Sequence, residues 1–504
     1  MEDHAMGEAK VSSFEPDFNR SVKVEFDDQR LSSNAGVLLL RQADHKLQLI
    51  ESIVQRMNDP RRQDLIRYQL GDLLRERVYA MAVGYSAQDD VDRLAHDPAF
   101  RLAVWNRAGD GVLDERLASQ PTQSRLLGII AAQGVNINAL RDGLFQSVHR
   151  HVLACGEDRR VMHGTIDLDS FPIEVHGRQQ GGNYNGHYRY TAYHPLVASF
   201  SVAGDYDSTR VGKRMGNGFI HAILRQGSVH TAKGATRFIR NVVIKAKQLA
   251  CVVDFRMDAG YTSGAVMDAL TNDNLKFVGR LRGNAKLDEL AAEHICRPPG
   301  RPPREGYEYC VELGQYQCDT WQHSQRLVLV VVDRPDPVSG QLNLIPNHFF
   351  LITNSDEKVR SADQLLAHYR PRGTFEDRLG EFNQAIGSHL SSQPFAENET
   401  TLLLAMLAYN LGSVLRNELE NAHGSGLDLG RFQAYVLKAG ARVVKHARRL
   451  VVRVAQSVQG FWQQLSDCID KWELPERLRV NTQTNRRPLR PAPRHSHLQE
   501  VLRY

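Results

Sequence analysis

Three acidic residues of the sequence could together bind divalent metal ions. Asp169 lies in the alternating segment TIDLDSFPIEV (165–175), Asp258 follows the apolar segment Ala250–Met257, and Glu376 lies in YRPRGTFEDRLGEFN (369–383). Mg²⁺ prefers oxygen ligands and keeps several of its waters, so a few carboxylates suffice to bind it. Two such ions can activate the attacking oxygen and stabilise the leaving oxygen when a phosphodiester is cleaved. The three carboxylates could therefore form a phosphodiester-cleaving site for two Mg²⁺ ions.

The segment around Glu376 has the spacing of an active-site helix. At 3.6 residues per turn, Tyr369, Arg372 and Glu376 lie on one stripe. A tyrosine and an arginine beside a carboxylate suit contact with a phosphate next to a metal. The alternative is a surface helix whose ion pairs face solvent, and this segment alone does not decide between the two.

The two aspartates also have competing interpretations. On a strand, Asp167 and Asp169 share one face, so Asp167 is an alternative first carboxylate, and a solvent-facing strand is an alternative for the pair. Asp258 is followed by Gly260 and could instead form an Asx-turn. Asp254 is a competitor near the end of the same apolar segment.

Composition places the chain among globular proteins of several domains. It has 504 residues, of which 42% are hydrophobic and 24% charged, with a net charge of +5. The mild basic excess permits nucleic acid as a partner. We find no apolar run near 18 residues and no secretory leader, and the six scattered cysteines favour reduced thiols, so a cytoplasmic protein without a membrane span is expected. P-loop and G-x-S-x-G motifs are absent from the sequence.

The periodicity predicts an α/β core between helical regions. Residues 1–155 read as a helical domain, and 156–283 with 346–395 as a mixed sheet with flanking helices, in the order β-β-β-α-β-α-β with its third strand near Thr209. A β-rich insertion is predicted to interrupt the sheet at 284–345. Residues 396–474 are predicted helical, and the basic tail at 475–504 is expected to be flexible.

Two basic segments could contact DNA. The Gly-rich turn 177–186 carries Arg178 and supplies donors and stacking faces, although a decorated β-hairpin is an equal alternative. Residues 438–453 are predicted to form an amphipathic helix whose charged face includes Arg448 and Arg449. A merely solvated face is the alternative for that helix.

The sequence resembles DDE transposases of bacterial insertion sequences, in the group numbered thirteen-eighty and the branch marked by a Y-x2-R-x3-E-x6-K helix. The segments that carry the resemblance are DLDSFPIEVHGRQQGGNYNGHYRYTAYHPL (167–196), FRMDAGYTS (255–263), the segment 369–383, SSNAGVLLLRQAD (32–44), AVGYSAQDDVDRLAHDPAF (82–100) and LKAGARVVKHARRLVVRVA (437–455). The resemblance implies a ribonuclease-H-like catalytic core.

Residue by residue, the resemblance implies that Asp169, Asp258 and Glu376 are the catalytic and metal-binding carboxylates, for two Mg²⁺ with Mn²⁺ able to substitute. Tyr369 and Arg372 fall on phosphate-contacting positions. The departure is Asn383, where the pattern has lysine. One positive charge toward the DNA is thereby lost, and Arg378 is a candidate substitute.

The resemblance implies a cut-and-paste transposase of the bacterial cytoplasm and nucleoid. It would cleave the ends of an insertion sequence and join the 3′-OH ends to target DNA by phosphodiester hydrolysis and transesterification. The implied partners are double-stranded DNA, as terminal inverted repeats and target, and a second copy of the chain in a paired-end dimer. The alternatives are a structure-selective nuclease or resolvase on the same core and a non-catalytic DNA-binding descendant.

Overall fold

The computed structural model describes residues 13–14, 17, 21, 23–25, 30–106, 110–155, 161–202, 217–297, 303, 305–336, 341–342, 345–387, 389–424, 426–446 and 449–480. Within these ranges, no helix combines the length and the apolarity that crossing a membrane requires.

The described residues before 156 are mainly helical. Short strands come first: β1 Ser13–Phe14, β2 Val24–Glu25 and β3 Leu31–Ser32. The helices are α1 Val37–Leu47, α2 Leu49–Val54, α3 Leu70–Ala82, α4 Asp90–Leu94, α5 Pro98–Val104, α6 Gln120–Ala131 and α7 Gly134–Ala154, with a 3₁₀ turn at Asp110–Leu113. The start of α5 shows how the sequence sets such a boundary: the Asp97 carboxylate accepts from the backbone N–H groups of Ala99 and Phe100, and Pro98 occupies the first helical position.

The middle of the chain alternates strands and helices. Its elements are β4 Val161–Ser170, β5 Ile173–Glu174, β6 Asn183–Asn185, β7 Tyr190–Tyr193, β8 Leu196–Val202, β9 Gly218–Ile223, α8 Ala235–Leu249, β10 Ala250–Met257, α9 Gly264–Asn272, β11 Lys276–Leu281, α10 Ala285–Ala292, β12 Tyr307–Tyr316, β13 Gln325–Asp333 and β14 Asn347–Thr353. The predicted β-β-β-α-β-α-β order is confirmed in β4, β8, β9, α8, β10, α9 and β11. The third strand is β9, and Thr209 lies outside the described residues.

Among the described strands, eight form one mixed sheet in the order β12-β13-β14-β11-β10-β4-β8-β9. β10 runs parallel to β4 and β11, and the other neighbours are antiparallel. The segment 284–345, predicted to interrupt the sheet, instead continues it, because β12 and β13 pair outward from β14. The Gly-rich turn contributes to a separate small sheet in the order β5-β7-β6.

The C-terminal part begins with helices and contains a hairpin that contradicts the prediction. Its elements are α11 Ala362–Tyr369, α12 Gly373–Ala385, α13 Phe395–His423, α14 Leu429–Phe432, β15 Ala441–His446, β16 Arg449–Val454 and α15 Gln459–Asp470. A 3₁₀ turn at Arg370–Arg372 joins α11 to α12, a π-helical turn spans Gln433–Leu437, and further 3₁₀ turns lie at Gln456–Val458 and Glu476–Leu478. Of the predicted basic tail, the part from residue 481 onward lies outside the described residues.

The predicted helix at 438–453 is wrong because the segment is an antiparallel hairpin. β15 pairs with β16 from Ala441 opposite Val454 to His446 opposite Arg449, and β15 also pairs with β3. Exposure alternates along β16, the period of two that a strand shows. The segment is rich in valine, whose branched side chain favours strands over helices. Arg449 is exposed on β16, and Arg448 lies outside the described residues.

Helices cover both faces of the eight-stranded sheet, and the two faces differ in which helices pack on them. Ile166 and Leu168 of β4 point into a core shared with α7, α8, α9 and α10. The opposite face packs on α11, α12 and α13, for example through Phe219 against Phe375 and Phe382. Alternation along β4 therefore turns residues 167 and 169 toward the helices that follow the sheet. The N-terminal helices and α13 share one hydrophobic core.

Candidate active site

Asp169 and Asp258 come together because their strands are parallel neighbours in register. Arg256 of β10 lies opposite Asp167 of β4. Asp169 and Asp258 each stand two residues further along, at the same edge of the sheet. The carboxyl ends of parallel strands are where open α/β sheets collect ligands. The strand pairing thus explains how residues 89 positions apart in the sequence become neighbours.

Asp258 sits in the tight turn that follows β10. Its Oδ1 accepts from the Gly260 N–H at 2.6 Å, and its backbone carbonyl accepts from the Tyr261 N–H at 3.1 Å. A Cβ added at Gly260 would lie 2.9 Å from Thr231 Cγ2 and 3.0 Å from Asp258 Oδ1. The Asx-turn that competed with a ligand role is therefore present. It uses only Oδ1, so turn and ligand are compatible.

Arg372 links the first aspartate to the glutamate. Its Nη2 donates to Asp169 Oδ2 at 2.7 Å, and its Nη1 donates to Glu376 Oε1. Asp169 Oδ1 also accepts from the Ser170 N–H at 2.7 Å. The Arg372 and Asp169 side chains are 9% and 15% exposed, whereas Glu376 is 60% exposed. A nearly buried guanidinium therefore stands between two of the three carboxylates.

The pKa values of these side chains are shifted because the groups are buried close to one another. Burial raises the pKa of Asp169 to about 6, and the charges of Asp258 and Glu376 add to the rise, while Arg372 and the Ser170 N–H oppose it. Burial alone would lower the pKa of Arg372, but Asp169, Tyr369 and the other two carboxylates raise it. Burial first, and then Asp258 and Glu376, raise the pKa of Tyr369 against the lowering effect of Arg372. The site is short of positive charge.

The donor set fits hard divalent cations. It offers carboxylate oxygens, one nearly buried and one exposed, at an electronegative sheet edge. Among the described residues, however, the one group of three His, Cys, Asp or Glu side chains whose donor atoms all lie within 4.8 Å is elsewhere in the fold. Asp169, Asp258 and Glu376 are thus neighbours that do not converge on one point, which agrees with Arg372 lying between two of them.

The competing carboxylates are engaged by other arginines. Arg256 donates to Asp167 through Nε and Nη2, each at 2.7 Å, and the two side chains are 0% and 1% exposed. Asp254 accepts from Arg360 at 2.9 Å and lies 3.7 Å from His368. Sequence reasoning missed Arg256. The available signal was the position of Arg256 between apolar Phe255 and Met257 near the end of β10, where a cation requires a buried partner.

The residues expected to contact DNA lie near this edge of the sheet but do not form a single surface. Exposed Arg178 and Asn383 line an open cleft of about 850 Å³ beside the end of α12, together with His176 and His389. Arg378, the candidate substitute for the missing lysine, instead donates to Ser199 Oγ of β8 at 2.9 Å. Asn383 is therefore exposed to solvent, and the Arg378 guanidinium does not replace the charge of the missing lysine there.

Comparison with known proteins gives a family match and distant similarity to solved structures. The family model described as "Transposase DDE domain group 1" matches residues 14–469. A search of curated proteins finds no match. Among solved structures, the chain is similar to one titled "Cryo-EM structure of piggyBac transposase synaptic complex with hairpin DNA", with a TM-score of 0.38 and 12% identity, covering 89% of this chain and 83% of that chain. The matched range contains Asp169, Asp258 and Glu376.

Proposed function

Because the chain belongs to the family of group 1 DDE transposase domains, we propose that it cleaves the ends of an insertion sequence and joins the freed 3′-OH ends to target DNA. Asp169, Asp258 and Glu376 are the catalytic carboxylates. The observation that carries this proposal is the strand register that sets Asp169 beside Asp258, with Arg372 joining Asp169 to Glu376.

The arrangement of strands supports a ribonuclease-H-like core. Among the five strands β11-β10-β4-β8-β9, β4 is in the middle. β8 runs antiparallel to it, and β9, β10 and β11 run parallel to it. The first carboxylate then lies at the end of the central strand and the second at the end of the adjacent parallel strand. Glu376 lies on α12, the helix that covers this edge.

Asp169, Asp258 and Glu376 would hold two Mg²⁺ ions, for which Mn²⁺ can substitute. When bound, these ions activate the attacking oxygen and stabilise the leaving oxygen of the phosphodiester. Arg372 balances the carboxylates in the metal-free chain. Once released, its planar guanidinium can donate two hydrogen bonds to a phosphate. Tyr369, half-buried at the end of α11, places a hydroxyl on the same side.

The hairpin β15–β16 supplies a basic surface for the DNA backbone. Arg442 and Arg453 are exposed and lie directly opposite each other. Like charges in that relation repel unless an anion lies between them. Exposed Arg449 extends the same hairpin, and Arg178 adds a cation at the cleft beside α12. We also assign Arg448, which lies outside the described residues, to DNA binding. We assign terminal-repeat recognition to the N-terminal helices, and pairing of two ends in a homodimer to the C-terminal region.

The direct test replaces Glu376 by glutamine, which keeps the shape of the side chain and removes its charge. Glu376→Gln should retain binding to DNA that carries the element's terminal inverted repeats and lose strand cleavage in Mg²⁺. Asp377→Asn is the matched control, because exposed Asp377 is the next residue of the same helix. Binding is measured by gel shift and cleavage on end-labelled DNA. Unimpaired cleavage by Glu376→Gln would reject the assignment.

The same assay separates the transposase from a structure-selective nuclease. A transposase should cleave linear DNA only where a terminal inverted repeat is present and should join the product to a second DNA molecule. Equal cleavage of branched DNA without any repeat, with no joined product, would favour the nuclease.

A further inference from the structure

Three side chains of types that can bind a metal lie together where α7 meets α13. His151 and Cys155 are one helical turn apart at the end of α7, and Glu418 faces them from α13. His151 Nε2 is 2.9 Å from Glu418 Oε1, Cys155 Sγ is 3.7 Å from the same oxygen, and the three donor atoms all lie within 4.8 Å of one another. The cluster shares no residue with the carboxylates proposed for DNA cleavage.

The cluster is built into the interior. The His151 side chain is 1% exposed and that of Glu418 12%. The ring of Trp472 packs edge-on against His151 at 5.1 Å. His151 and Glu418 are therefore largely shielded from solvent.

The donor types select a borderline-soft metal. Thiolate, imidazole and carboxylate together suit Zn²⁺, whereas Mg²⁺ and Ca²⁺ prefer oxygen alone. In a tetrahedral zinc site with bonds of 2.0–2.3 Å, the ligand atoms lie about 3.3–3.8 Å apart. The observed separations of 2.9 and 3.7 Å are within about 0.5 Å of that range.

The cluster lies at a junction of helices. The chain that follows α15 is attached to the end of α7, since the Glu473 N–H donates to the Ala154 carbonyl at 3.1 Å. We propose that His151, Cys155 and Glu418 form a zinc site that links α7 to α13.

Metal content of the full-length protein tests the site. After reconstitution with zinc and removal of loosely bound metal, the wild-type chain should retain one tightly bound equivalent, measured by mass spectrometry of the metal. Cys155→Ser should lose that equivalent. Cys251→Ser is the matched control, because Cys251 is exposed on β10. A folded wild-type protein that retains no zinc would overturn the proposal, as would undiminished zinc in Cys155→Ser.

Cobalt substitution gives a readout that does not depend on whether a variant folds. Co²⁺ bound to this cluster in the wild-type protein should show thiolate-to-metal charge-transfer absorption and the ligand-field bands of a tetrahedral site. Asp169, Asp258 and Glu376 contain no sulfur and cannot produce the charge-transfer band. Cys155→Ser should abolish the band, and Cys251→Ser should leave it unchanged. Absence of the band in the wild-type protein overturns the site, as does an unchanged band in Cys155→Ser.

Discussion

Replacing Asp169 by asparagine should stabilise the metal-free protein while abolishing DNA cleavage. The pKa of Asp169 is raised from 3.8 to about 6, chiefly by burial. Ionisation is therefore less favourable in the folded than in the unfolded chain. At about 1.36 kcal/mol per unit, the ionised carboxylate costs the fold about 3 kcal/mol. Since the side chain is only 15% exposed, solvent screening reduces this figure little. Asparagine mimics the protonated form and avoids the cost.

The pH dependence has a defined direction. Below pH 3.8, Asp169 is protonated in both states and costs nothing; the cost grows as the pH rises through 6 and is then constant. The stability gain of Asp169→Asn should therefore be about half as large at pH 5 as at pH 8, where it reaches about 3 kcal/mol. Thermal unfolding in EDTA at the two pH values measures it as a rise of a few degrees in Tm, larger at pH 8.

Added Mg²⁺ completes the test. The wild-type protein should gain stability at pH 8, because an ion that binds only the folded state shifts the equilibrium toward it. Asp169→Asn should gain much less, and the surface control Asp377→Asn should follow the wild type. If Asp169→Asn is no more stable than wild type at pH 8 in EDTA, or if its gain is the same at both pH values, the electrostatic reasoning about this site is refuted.

Two further substitutions address the surroundings of the site. Arg256→Met should destabilise the protein by about 3–5 kcal/mol, because it leaves the Asp167 carboxylate buried without a partner. Adding Asp167→Leu should recover most of that loss in thermal unfolding, and a double variant no more stable than the single one would contradict the pairing. Asn383→Lys should strengthen DNA binding and steepen its salt dependence by about one unit of slope, because the new cation enters the open cleft beside Arg178. An unchanged slope of log K against log salt would place Asn383 away from the DNA.

The strands and helices of the core could be predicted because local patterns decide them. The segment Ala250–Met257 is a strand over the predicted residues, since an apolar, β-branched run has few alternatives. The helix that the predicted β-β-β-α-β-α-β order places after this strand is α9, which begins after Ser263 and ends at Asn272. The local sequence pattern was sufficient to predict these two elements, without knowledge of distant contacts.

The errors arose where distant contacts decide the structure. The segment 441–454 carries basic residues at spacings that also fit a helix, but pairing with β3, more than 400 residues earlier, helps to fix it as a strand. Likewise, the attachment of β12 and β13 to β14 depends on sheet order, which no local pattern records. Asp167 could not be separated from Asp169 by alternation, because both face one side of β4. Only the position of Arg256 on the neighbouring strand distinguishes them.

Asp167 and Asp169 lie on the same face of β4 but pair with different arginines. Arg256 is fully buried and donates to both carboxylate oxygens of Asp167, so a metal at Asp167 would require this buried ion pair to break. Arg372 uses one nitrogen for Asp169 and the other for Glu376, and Glu376 is exposed enough to move away. Divalent ions held by Asp169, Asp258 and Glu376 would take the place of the guanidinium at Asp169 Oδ2, and Arg372 would then be available to donate hydrogen bonds to a phosphate.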